Sequence, residues 1–96
     1  MSPSTRVPVT TPGIICRLTD DGAVLVSPEA GDLRVLNRVG AAIWQLIDGT
    51  RDVAALEAEL AHRYGIPAAQ AHTDLDEFLA DLQRRGLLTW QEPDVG

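Results

Sequence analysis

The side chains able to do chemistry in this chain are few and scattered. Cys16 is the single thiol, so no internal disulfide can form. It lies in the apolar run Ile14-Ile15-Cys16-Arg17-Leu18, whereas a nucleophilic thiol needs an electropositive, partly open setting. The expectation is a buried, inert cysteine. His62 and His72 fall on the polar sides of their segments, and neither has a second histidine at the i+4 spacing of a helical zinc site. Both read as solvated. Asp74, Asp76, Glu77 and Asp81 crowd one segment and could attract a cation. They lack the glycine of a calcium loop and sit within a helical apolar pattern, so they read as a solvated acidic face. No glycine-rich phosphate loop or nucleotide fingerprint occurs. The expectation is a chain with no catalytic residue, no metal and no cofactor.

The elements that would have to position any site come from composition and periodicity. Ninety-six residues, 45% hydrophobic and 23% charged, suit one globular domain with a moderate core. No apolar run approaches the ~20 residues that cross a bilayer. Residues 1–11 lack the apolar centre of a signal peptide. With a lone cysteine, this predicts a cytoplasmic, non-membrane protein. All eight basic residues are arginine, which reads as coding bias.

Residues 1–12 are predicted to be a flexible arm, 13–90 the domain, and 91–96 a flexible tail, with fraying from Trp90 onward. Ile14 to Leu18 and Ala23 to Ser27 read as strands joined at Asp21-Gly22, a strong hairpin signal. Pro28 and Gly31 bracket a second turn, and Asp32 to Leu36 forms a third strand. Asn37 is suited to cap the helix that follows, because its side-chain oxygen can accept an orphan backbone N–H. That helix runs from about Arg38 to Ile47, a second from Val53 to Tyr64, and a third opens at Ile66-Pro67 and closes at Gly86. Ala71, Leu75, Phe78, Leu79 and Leu82 form the apolar stripe of the third helix. Leu87 and Leu88 are expected to return to the core. Three strands followed by three helices give an α+β, winged-helix-like arrangement.

The third strand carries apolar side chains on both faces. Leu33 and Val35 share one face, Arg34 and Leu36 the other. Leu36 is expected to point into the core. An apolar edge is an aggregation hazard unless something pairs with it, which makes the strand a candidate docking site for an extended peptide. A fully covered strand is the alternative, and periodicity alone does not choose. DNA binding is disfavoured: the net charge is −6, and the helix that would enter the major groove is acidic.

The residues Leu36-Asn37, Gly40-Ala41-Ala42-Ile43-Trp44, Asp48-Gly49, Leu56…Leu60…Tyr64 and Asp74…Phe78-Leu79…Leu82…Gly86-Leu87-Leu88 resemble the PqqD-like family. That family supplies recognition elements for ribosomally made, post-translationally modified peptides. The resemblance spans about Ile14 to Leu88. It implies a non-catalytic domain that binds the N-terminal leader of a precursor peptide. The leader adds to the third strand and packs against the third helix. The domain then delivers the precursor to a maturation enzyme, such as a leader peptidase or a radical SAM protein, as in lasso-peptide or pyrroloquinoline quinone pathways. Carried onto this chain, the binding residues are Asp32, Leu33, Arg34, Val35 and Leu36 on the strand and Asp74, Leu75, Phe78, Leu79 and Leu82 on the helix. Arg34 stands where relatives often carry an apolar residue. If it shares the Leu36 face, its guanidinium must reach the sheet margin or a carboxylate. The partners expected are the leader and the enzyme, with the chain a monomer or weak dimer. The rival readings are a winged-helix DNA-binding regulator and a structural or dimerising subunit of an enzyme complex.

Overall fold

The computed structural model describes residues 6–29 and 31–91. The elements run β1 (Val7–Thr10), β2 (Ile15–Thr19), β3 (Gly22–Ser27), β4 (Asp32–Asn37), α1 (Arg38–Leu46), α2 (Val53–Tyr64), α3 (Ala68–Arg84) and β5 (Leu88–Gln91). The expected meander is the antiparallel sheet β2-β3-β4. Its first turn places Gly22 at φ +158°, opposite Asn37. A Cβ there would lie 1.9 Å from the Leu36 carbonyl oxygen, so only glycine allows β4 to approach.

Helices α1 and α2 begin on side-chain caps visible in the sequence, while α1 ends at Ile47 in extended conformation rather than at the expected Gly49. The Asn37 side chain accepts the Gly40 N–H at 2.8 Å, and Asp52 accepts that of Ala55 at 2.8 Å. Gly65 closes α2 in the left-handed conformation, and Pro67 precedes α3. The helices bury Ile43, Trp44, Leu56, Leu60, Ala71, Leu75, Leu79 and Leu82 against Ala23, Leu25 and Leu36 of the sheet, with Leu87 and Leu88 sealing the core.

Two corrections concern the ends. Residues 7–10, expected in a loose arm, form β1, and Trp90, expected to fray, lies in β5. The two strands pair antiparallel in the register Val7↔Gln91 to Thr10↔Leu88. Local patterning misses this because the partners stand some eighty residues apart in sequence. Pro8 is fully buried, and the Thr11 N–H and hydroxyl donate to the Leu87 and Gly86 carbonyls at 3.0 and 2.8 Å. The Arg6 guanidinium stacks 4.3 Å above the Trp90 ring, whose Nε1 donates to Gln83 at 2.9 Å. The rest of the expected arm and tail, residues 1–5 and 92–96, lies outside the described residues.

Helices α2 and α3 are also joined by a polar contact, with His72 Nδ1 and Glu57 Oε1 2.5 Å apart. The hydrogen bond to Glu57, then its charge, raises the His72 pKa above the ordinary 6.5. A raised histidine stabilises the fold fully below its unfolded value, and the contribution fades as pH rises through the folded one. The urea midpoint should therefore fall between about pH 5.5 and 8.5 more in the wild type than in His72→Gln. Separately, Gly22→Ala should lower unfolding stability by more than about 2 kcal/mol, measured by urea denaturation, because the methyl group meets backbone that cannot yield.

Candidate functional site

Among the described residues, strand β4 has a hydrogen-bonded neighbour on one side only, since the sheet order ends with it. In an antiparallel pair, successive residues turn their backbone groups alternately toward and away from the partner strand. The Leu36 carbonyl faces Gly22 of β3. The backbone groups of Val35, and by the same alternation Leu33, therefore face the open edge. Side chains alternate the other way, between the two faces of the sheet. Leu36 and Arg34 stand opposite Ala23 and Leu25 on the helix-covered face, while Val35 and Leu33 stand opposite Val24 and Val26 on the outer face.

A cleft of about 470 Å³ runs along the end of this edge, lined by Thr19, Asp21, Arg34, Val35, Leu36, Asn37, Gly40 and Phe78. A second hollow of about 270 Å³ shares Asn37, Gly40 and Phe78 and extends to Val39, Ile43 and Asp74. Together they make a groove between β4, the first turn of α1 and one side of α3. Gly40 sets its depth: a Cβ there would lie 3.1 Å from the Phe78 ring, so the glycine lets α1 and Phe78 approach.

Arg34 bridges the groove. Its Nε donates to Asp81 Oδ2 of α3 at 3.0 Å, and its Nη1 donates to the Val35 carbonyl at 2.7 Å. Asp81 also accepts from Arg85 at 3.2 Å and lies 3.6 Å from Arg84. Burial pushes the Asp81 carboxyl up, but the hydrogen bonds from Arg34 and Arg85 outweigh it and hold the pKa below the ordinary 3.8. This carboxylate is thus an ion-pair hub rather than part of a merely solvated face.

The structure divides the residues expected to bind. Arg34, Val35, Phe78 and Asp74 line the groove or its rim. Leu36, Leu75, Leu79 and Leu82 are buried to 3% exposure or less, and their side chains belong to the core, with Leu36 also contributing to the wall of the cleft. The helical period explains this: Ala71, Leu75, Leu79 and Leu82 fall on the side turned to the sheet, and Phe78 stands about 100° around from Leu79. Leu33 and Val35 are 61% and 60% exposed and their side chains point to the outer face; Val35 still lines the cleft, whereas Leu33 lines neither hollow. Asp32 is exposed where β4 begins. Asn37, Val39, Gly40, Thr19 and Asp21 were missed as site residues. A usable signal was Gly40 itself, since glycine in a helix costs about 1 kcal/mol and often marks a close approach.

Cys16 corrects another expectation. It is exposed, because β2 lies beyond the cover of the helices. Partial burial nonetheless pushes its thiol above the ordinary value, which keeps it protonated and a poor nucleophile. Among the described residues, no group of three or more His, Cys, Asp or Glu side chains is placed to hold a metal ion.

A three-stranded antiparallel sheet with three helices defines a class of small α+β protein with solved members. One is described as TbiB1 in complex with the TbiA(beta) leader peptide, with a TM-score of 0.79 at 22% identity over 88% of this chain and 99% of that one. Another is the PqqD portion of Methylobacterium extorquens PqqCD, described as a stand-alone recognition element for ribosomally synthesized, modified peptides. Its TM-score is 0.75 at 26% identity, over 92% of this chain and 93% of that one. The chain belongs to the PqqD family: the model for coenzyme PQQ synthesis protein D matches residues 22–88. It is 38% identical to the PqqA binding protein of Klebsiella pneumoniae (strain 342), over 74% of each chain. It is 41% identical to that of Rhodopseudomonas palustris (strain TIE-1), over 69% of this chain and 63% of that relative's length.

The geometry makes Gly40 a sensitive position. Gly40→Val should close the groove against Phe78, reducing the affinity of any groove ligand at least tenfold. The loss of stability should be about 1–3 kcal/mol from overpacking. Titration and urea denaturation of the same variant measure the two effects.

Proposed function

We propose that this chain is a non-catalytic recognition element that binds the N-terminal leader of a ribosomally made precursor peptide and delivers the precursor to a separate maturation enzyme. The observation that carries the reading is the edge of β4, unpaired among the described residues, with the Val35 and Leu33 backbone groups turned outward beside the Phe78–Gly40 groove. An extended peptide added there gains main-chain hydrogen bonds with little demand on its sequence, and alternate side chains enter the groove to give specificity. The relatives named for binding PqqA, and the solved leader-peptide complex of the same fold, support leader binding by this chain. Phosphate recognition is disfavoured by the net charge of −6 and by Asp21 and Asp74 on the groove rim.

Strand addition makes a backbone-specific prediction. Val35→Pro removes an outward N–H that β3 does not use, and proline is tolerated on the free side of an edge strand. Leader binding should fall at least tenfold while the far-ultraviolet circular dichroism spectrum and the urea midpoint stay near wild type. The check is an anisotropy titration with a fluorescein-labelled leader from the precursor encoded beside this chain. Wild-type affinity in the folded proline variant would overturn strand addition at β4.

A further inference from the structure

Leader docking as proposed above would compete with one contact. The Val35 carbonyl faces the open edge, so it is an acceptor that an added strand requires, and the Arg34 guanidinium already occupies it at 2.7 Å. Arg34 is an inward-pointing charge on an edge strand, one of the ways in which sheets discourage stray edge pairing. Its position on the helix-covered face, opposite Leu25, brings it to Asp81.

The bridge is unequal in its two partners. Asp81 keeps Arg85, at 3.2 Å from both carboxylate oxygens, and Arg84 at 3.6 Å if Arg34 withdraws. Removing Arg34 therefore leaves no orphaned carboxylate. Arg34 has no such reserve. Asp81 is its only ion-pair partner among the described residues, and its side chain is only 33% exposed. A strand laid along β4 would shield it further. A guanidinium losing water needs a new acceptor, and a carboxylate held by two parallel N–H bonds is the best match to its planar fork.

We infer that Arg34 passes from Asp81 and the Val35 carbonyl to an acidic side chain of the incoming leader, so that the groove selects leaders carrying Asp or Glu at the strand position facing Arg34. This rests on the leader-binding reading. The selection is local. Farther along the groove the rim bears Asp21 and Asp74, which repel a carboxylate placed there. Only the register that sets the acidic residue against Arg34 is favourable, so the same contact fixes where along β4 the leader lies.

The test uses the full chain and the labelled leader from its neighbouring precursor, with copies in which each Asp or Glu is changed singly to Asn or Gln. One copy should bind wild-type protein roughly tenfold more weakly than the parent, as for a lost hydrogen bond to a charged group. Arg34→Ala should bind the parent and that copy with the same reduced affinity. Arg34→Lys should restore part of the discrimination, and Asp81→Asn should retain it. The Arg34 Nε–Hε resonance of wild-type protein should shift on adding the parent peptide and not on adding the selected copy, a readout independent of any variant's folding. Equal binding of all copies by wild-type protein, discrimination that survives in Arg34→Ala, or an unmoved Arg34 resonance would each overturn the exchange while leaving leader binding in place. Failure of wild-type protein to bind the parent peptide would remove the leader reading and this inference with it.

Discussion

The seating of one face of the β2-β3-β4 sheet on the helices is the constraint from which the rest of the molecule follows. Ala23, Leu25 and Leu36 share one core with the Leu75, Leu79 and Leu82 stripe of α3 and the apolar face of α1. Once Leu36 is fixed inward, the two-residue period of β4 leaves no freedom: Arg34 must share its face, and Val35 and Leu33 must turn outward. The same choice sends the Val35 backbone to the open edge. A single buried leucine thus sets the edge chemistry, the reach of Arg34 to Asp81 and the wall of the groove together.

Much of this was legible in the sequence because the signals were local. Asp21-Gly22, Asn37, Asp52 and Gly65 each mark a turn or cap whose geometry depends on neighbours a few residues away. The dilemma of Arg34 was also visible, and the structure resolves it with the carboxylate partner. The failures were of another kind. Pairing of β1 with β5 requires distant segments to meet, and nothing in Val7–Thr10 alone announces it. Periodicity identifies the α3 stripe but not the width of its buried part, so Leu75, Leu79 and Leu82 could not be separated from Phe78 before the sheet was in place. Cys16 read as buried because it lies in an apolar run, yet the helical layer stops short of β2, leaving that strand in solvent.

Charge and shape divide the work of the site. The groove's apolar elements, Phe78 and the Gly40 hollow, contribute by removing surface from water, which discriminates little between similar side chains. The ionic hub at Asp81 is partly exposed, and such pairs contribute little net stability. Its significance lies in geometry: it holds a long, adaptable side chain across the junction of sheet and helix without anchoring it by deep burial. An inward-pointing charge of this kind makes an edge strand less open to stray pairing.

The antiparallel β1–β5 pair brings Val7 directly opposite Gln91. The path of the described chain therefore closes on itself, entering and leaving the domain at the same place. A domain with adjoining entry and exit points can be spliced into a loop of another protein, or tethered by either end, with little distortion of host or guest. In engineering terms it is a cassette. Its β4 edge could be transplanted into an unrelated enzyme through a single insertion point, leaving the strand and its groove untouched by the joints.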